Sequence, residues 1–146
     1  MIIALGSDHA GFQYKEQAKS LLRELKIEFK DYGTHSTESV DYPDYAHRAS
    51  EAVSKGECEF AILVCGSGIG VSIVANKHKG VRAAACESST AAELSRRHNN
   101  ANILCFGERL VGWGVAEDMI RRFLSTNFEG GRHTRRVEKI HSLTSC

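Results

Sequence analysis

Short apolar runs alternate with longer stretches of helical period along this chain. The runs are IIALG (Ile2 to Gly6), the weaker IEFKDY (Ile27 to Tyr32), FAILVC (Phe60 to Cys65), VRAAAC (Val81 to Cys86) and NILCFG (Asn102 to Gly107). Runs that are apolar almost throughout, rather than at alternate positions, predict strands buried on both faces, as in a parallel sheet covered by helices above and below. Between them, Phe12, Ala18, Leu21, Leu22 and Leu25 mark one helical face, and Ala116, Met119, Ile120, Phe123 and Leu124 mark another. Pro43 stands where a helix begins, ahead of Tyr45, Ala46, Ala49 and Val53, and Thr90-Ala91-Ala92-Glu93 has capping-box spacing. This strand–helix alternation predicts a doubly wound α/β fold, a three-layer α/β/α sandwich on a five-stranded parallel sheet. Its crossovers are expected to be right-handed, and its site to lie at the carboxyl ends of the strands.

Beyond Asn127 the pattern changes. The chain turns through Gly130-Gly131 into RHTRRVEKIHSL, where Val137, Ile140 and Leu143 make only a thin apolar stripe. Residues 130–146 are therefore expected to form a helical tail that needs a partner surface, attached to a single domain covering residues 1–146.

Composition narrows the class. With 146 residues, 42% hydrophobic and 25% charged, the chain is an ordinary globular domain. At this size folding buries roughly 68–70% of the unfolded surface, so neither disulfides nor a structural metal are required. The formal charge of +1, from 19 Lys+Arg against 18 Asp+Glu, provides no overall field to draw the chain to nucleic acid or an anionic membrane. No stretch reaches the ~18 apolar residues of a membrane span. The N-terminus MIIALGSDHAGF is apolar too briefly for a signal peptide. Five cysteines, an odd number with no C-x-x-C pair, fit a reduced compartment, and the cytoplasm is the expected location.

Four polar clusters carry candidate chemistry. Cys65-Gly66-Ser67-Gly68-Ile69-Gly70 follows the most apolar strand and precedes the helix-compatible VSIVANK. A strand, a glycine loop and a helix together turn backbone N–H groups and a positive helix end toward an anion. A tight turn alone would also use such glycines. Cys65 beside the loop is a plausible base or nucleophile, whereas Cys58, Cys86 and Cys105 read as small buried hydrophobes. No Lys follows Gly70, so the loop is not a nucleotide P-loop. Val71 stands where the dinucleotide fingerprint needs its last glycine and where a cysteine phosphatase needs arginine, although Glu87 lies at a suitable distance to bind a ribose.

Ser7-Asp8-His9-Ala10-Gly11 ends the first strand, on the same sheet edge as Cys65. An Asp–His pair there can exchange protons with hydroxyls or grip an anion, and Asp8 equally fits a helix cap. Arg96-Arg97-His98-Asn99-Asn100-Ala101-Asn102 lies between a helix and the last strand. His98 is the best proton shuttle near neutral pH, while a helix end also accounts for His98 at the dipole and Asn99 as a C-cap. Arg132, Arg135, Arg136 and Lys139 in the tail, with Arg109 beyond the fifth strand, suit a phosphate or a solvated basic face.

Taken together, LGSDHAGFQYKE, DYPDYA, CGSGIGVSIVANK, RRHNNANIL and the arginine-bearing tail resemble the type B ribose-5-phosphate isomerases and galactose-6-phosphate isomerase subunits, almost from end to end. The resemblance implies a Rossmann-like five-stranded parallel sheet between helices and a homodimer whose active sites draw on both chains. It implies an aldose–ketose isomerase that needs no metal or cofactor. Cys65 matches the base that moves a proton between C1 and C2, and Ser67 stands where relatives often have threonine, relaying protons between the two oxygens. The amides of Gly66, Gly68 and Gly70 match an enediolate cradle. Asp8 and His98 match residues that open the furanose ring, Tyr42 and Asn99 hold hydroxyls, and His9, Arg109, Arg132 and Arg136 match phosphate ligands. The serine retains the hydroxyl of threonine and loses a methyl that restricts its rotamers. Ribose 5-phosphate is the expected substrate. The alternatives are galactose 6-phosphate or allose 6-phosphate and, in another class, a nucleotide-binding regulatory module.

Overall fold

The computed structural model describes all residues from Met1 to Cys146. Five strands form one sheet: β1 (Ile2–Ser7), β2 (Glu28–Asp31), β3 (Phe60–Cys65), β4 (Ala83–Ala85) and β5 (Ile103–Gly107). Six helices connect or follow them: α1 (Phe12–Glu24), α2 (Tyr42–Ser54), α3 (Ile69–Ala75), α4 (Ser89–Asn99), α5 (Trp113–Ser125) and α6 (Arg132–Thr144). The strand order is β2-β1-β3-β5-β4, and every pairing is parallel.

The apolar runs are buried on both faces because alternate residues enter two separate cores. Ile3, Leu5, Ile62, Val64, Leu104 and Phe106 pack beneath α1, α4 and α5 with Leu22, Ala92, Met119 and Phe123. Ala4, Ala61, Leu63, Cys65, Ile103 and Cys105 pack beneath α2 and α3 with Ala49, Val53, Val71 and Ala75. Small residues dominate the second face, so α2 and α3 approach the sheet closely there. The three-layer sandwich expected from the pattern is the one observed.

Three local expectations are corrected. VRAAAC supplies only Ala83–Ala85 to the sheet, since the Arg82 and Ala83 N–H groups are taken by the Asn102 and Asn76 side-chain oxygens at 2.8 and 2.9 Å. Side-chain amides satisfy the start of this rim strand in place of a neighbour. Helix α4 is capped by Ser88, whose Oγ accepts the Ala91 N–H at 3.2 Å, so Thr90 lies inside the first turn. At its other end the left-handed capping residue is Asn100 (φ 47°), not Asn99.

The tail is helical as expected. Val137 is buried, while Ile140 and Leu143 remain 43% and 73% exposed on a single chain. Nowhere is a helix long and apolar enough to cross a membrane.

Candidate active site

The order β2-β1-β3-β5-β4 reverses its direction of winding between β1 and β3, and a crevice opens at such a switch point beyond the carboxyl ends of the strands. A cleft of about 360 Å³ occupies this position, lined by Asp8, His9, Tyr42, Cys65, Ser67 and Arg109 together with Gly66 and Gly70 of the loop. A larger hollow of about 630 Å³ lies between the α3–β4 turn, α4 and α6. The convergence of ionisable groups on one glycine loop, rather than volume, marks the smaller cleft as the site.

Asp8 is both cap and cleft residue. Its Oδ1 accepts the Ala10 and Gly11 N–H groups at 2.9 and 3.1 Å, forming a short 3₁₀ turn from His9 to Gly11, and this leaves Oδ2 uncommitted. The Val40 N–H donates to His9 Nδ1 at 3.1 Å, with the Val40 carbonyl 3.3 Å from the same atom. Both Val40 contacts fall on Nδ1, which leaves Nε2 uncommitted and able to meet an anion.

The loop after β3 is seated by backbone packing. Gly68 has φ 77°, and a Cβ there would lie 2.7 Å from the Phe106 backbone. A Cβ on Gly107 would meet Ser67 Cα at 2.5 Å, and one on Gly11 would collide with the Val64 carbonyl oxygen. So placed, the Gly68 N–H donates to Cys65 Sγ at 3.1 Å, while Ser67 Oγ accepts the Ile69 N–H at 3.3 Å and retains its own proton to donate. Gly68 thus lies behind the loop rather than on the cleft wall. Burial pushes the other core thiols up, Cys86 to about 11, with Cys58 and Cys105 also raised. Those three remain thiols at neutral pH, in keeping with their reading as small hydrophobes.

Gly66 and Gly70 form the floor under two larger groups. The Arg109 guanidinium lies over Gly66, 3.3 Å from where a Cβ would stand, and the Tyr42 ring lies over Gly70. Arg109 is held there because its own N–H donates to the Gly66 carbonyl at 3.1 Å and the Glu108 N–H donates to that of Cys65 at 2.9 Å. Glu108 in turn accepts the Tyr14 N–H at the start of α1, which ties the β5 loop to the first helix.

Besides Gly68, four of the expected site residues do not reach this cleft. His98 and Asn99 end α4, and Arg132 and Arg136 lie exposed on α6, with Asn99 facing the larger hollow instead. His98 stacks on His133, ring centroids 4.5 Å apart and planes within 13°, beside the Glu129 carboxylate. Neither Glu129 nor His133 stands out in the sequence, where the arginines around them draw attention. Glu87, the residue a nucleotide reading would place on a ribose, is absent from the cleft lining.

The chain's residues 3–140 match the family model described as Ribose/Galactose Isomerase. It is 45% identical over 141 residues to ribose-5-phosphate isomerase B of Escherichia coli, covering 97% of this chain and 95% of that one. The solved ribose-5-phosphate isomerase B of Clostridium thermocellum superposes with a TM-score of 0.97 at 48% identity, covering 99% and 98% of the two chains. That of Mycoplasma genitalium, solved with bound ribulose 5-phosphate, superposes with a TM-score of 0.95 at 38% identity over 99% and 96%. With a fold, a cleft and a sequence that agree over nearly its whole length, this chain belongs to the ribose/galactose isomerase family.

Proposed function

We propose that this protein is an aldose–ketose isomerase that interconverts ribose 5-phosphate and ribulose 5-phosphate through an enediolate, with Cys65 as the base. The observation that carries this reading is the Cys65 sulfur accepting the Gly68 amide of its own loop, in one cleft with Asp8, Ser67 and two phosphate-competent groups, His9 and Arg109.

The chemistry follows from those positions. Asp8 and His98 exchange protons with the ring and anomeric oxygens, which breaks the C1–O4 bond and yields the aldehyde. Cys65 takes the proton from C2 and electron density moves onto O1, where the amides of Gly66 and Gly70 stabilise the developing oxyanion. Ser67, able to accept and donate at once, carries a proton from O2 to O1. The Cys65 thiol then returns its proton to C1, leaving the ketone at C2. Tyr42 and Asn99 hold hydroxyls, and Arg132 and Arg136 join His9 and Arg109 on the phosphate.

A single chain holds these groups as two half-sites, so the working unit in this reading is a homodimer in which each site takes His98 and Asn99 from the other subunit. Apolar side chains left open beside the cleft support it: Ile69 and Ile73 on α3 are 55% and 57% exposed. Leu110 on its rim and Ile140 and Leu143 on the tail are exposed as well. Free thiols on all five cysteines support a cytoplasmic location.

The test is subunit complementation. Cys65→Ala and His98→Asn chains, each inactive on ribose 5-phosphate alone, are co-expressed and the mixed dimer is isolated. A shared site regains one wild-type cleft per dimer and with it a substantial fraction of activity. A mixed dimer as dead as its parents would place both residues in one chain's site. Galactose 6-phosphate and allose 6-phosphate, run beside ribose 5-phosphate, test the substrate.

A further inference from the structure

His98 is held from two sides. Its imidazole lies face to face with that of His133, and its Nε2 is 3.4 Å from Glu129 Oε2. The same oxygen is 3.9 Å from His133 Nε2, so one carboxylate faces both rings. Glu129 is fixed in turn, because its N–H donates to the Arg97 carbonyl at 3.0 Å and its Oε1 meets the Arg97 guanidinium at 3.5 Å. The His133 N–H donates to the Gly130 carbonyl, which sets the ring at the first turn of α6.

Three donor atoms within 4.8 Å of one another could suggest a metal site. The ring geometry opposes it. Lone pairs lie in the plane of an imidazole, and planes within 13° of parallel direct them side by side rather than toward a common point. Arg97, Arg132 and Arg136 around the cluster also repel a cation. Burial, followed by the charges of His98, Arg132 and Arg136, holds His133 below the ordinary histidine value, which favours its neutral form. A neutral partner allows a proton to come and go on His98 without two adjacent like charges.

We infer that Glu129 and His133 are positioning residues for His98: the carboxylate engages Nε2, the stacked ring blocks rotation, and Nδ1 is left as the atom that exchanges a proton with the sugar. This rests on the ring-opening role proposed above for His98. A histidine oriented by a carboxylate at one nitrogen and working at the other is a general device of acid–base catalysis.

The experiment separates ring opening from proton transfer. Ribulose 5-phosphate, esterified at its terminal hydroxyl, cannot close to a furanose, so exchange of its C1 proton with D2O reports enediolate formation alone. Glu129→Gln and His133→Ala should each lower kcat on ribose 5-phosphate about tenfold, as is typical when the group orienting an imidazole is lost. Their C1 exchange should change by less than about twofold, and Glu129→Asp should restore part of the loss. Equal losses in both assays, or none in either, would overturn the inference. His98→Asn, run in parallel, tells the two readings apart. If it shows the split and Glu129→Gln does not, only the positioning role fails. If His98→Asn shows no split, the ring-opening role fails first. Thermal melts of every variant separate these outcomes from misfolding.

Discussion

The Tyr42 ring lies so close above Gly70 that a Cβ on residue 70 would stand 2.7 Å from Cζ of the tyrosine. Gly70 is inside α3 with ordinary helical geometry, where alanine is favoured over glycine by roughly 0.5–1 kcal/mol. Tyr42 is 39% exposed and can swing outward. Gly70→Ala should therefore melt no lower than the parent and lose on the order of tenfold in kcat/KM through displacement of Tyr42 from the cleft. A variant of unchanged kcat/KM would show that Tyr42 contributes nothing from this position. Gly68→Ala should behave oppositely, losing stability first, because its positive φ and the Phe106 backbone both oppose a side chain.

Cys65→Ala should retain fold and substrate binding while turnover and exchange of the C2 proton with solvent disappear together. The sulfur accepts only the Gly68 N–H, so its removal leaves one buried backbone donor unpaired, at a cost of about 1–3 kcal/mol. Retention of more than about a tenth of wild-type activity, a rise in the barrier under ~1.4 kcal/mol, would exclude Cys65 as the base.

Arg132 and Arg136 are one helical turn apart on α6 and project from one face. The phosphate carries the same charge in substrate and transition state, so its ligands act mainly on KM. Arg136→Ala should weaken ribose 5-phosphate binding by roughly 1.5–3 kcal/mol and leave unphosphorylated ribose as poor a substrate as before. Removal of the residues after Gly131 should impair both the dimer and activity. A truncated protein that sediments as a dimer and binds substrate normally would detach the tail from the site.

Lys15 is wholly buried and meets Glu16 and Asp31 at 2.7 Å each, while Lys19 also reaches Asp31 at 2.9 Å. Burial alone would raise the Asp31 carboxyl, but hydrogen bonds from Lys15, Lys19 and the Gly33 N–H outweigh it and hold the group below the usual carboxylate range. A depressed folded-state value means that the stabilisation is complete above the unfolded value and is lost as pH falls through the folded one. Asp31→Asn should cost roughly 1.5–3 kcal/mol at neutral pH, because the buried Lys15 then keeps only the more exposed Glu16 as its counter-charge. Denaturant titrations of the two proteins should converge as the wild-type carboxylate protonates in acid. A cost that did not vary with pH would assign the loss to packing.

Much of this was legible in the sequence, for reasons that also explain what was not. FAILVC matches β3 residue for residue because a central strand buried on both faces has no polar position to blur its ends. The rim strand β4 contracts because Asn76 and Asn102, remote in sequence, claim its backbone. Asp8, His9 and Cys65 could be grouped in advance because parallel strands deliver their carboxyl ends to one edge. Glu129 and His133 could not, since their importance arises only where α6 lies across α4 and two imidazoles meet. His98, Asn99, Arg132 and Arg136 lie outside the cleft, a separation in space that no periodicity in the sequence records.

The backbone seating of the cysteine loop also bears on how such a protein can diversify. Gly11, Gly68 and Gly107 support the loop with no side chain that could be exchanged for another, so the thiol and its amides offer little to vary. Tyr42, Arg109 and Leu110 line the same cleft with side chains. Heritable variety, or a laboratory library, must enter through these rim positions. It would alter which sugar phosphate is admitted while the glycine-seated loop passes unchanged from one descendant to the next.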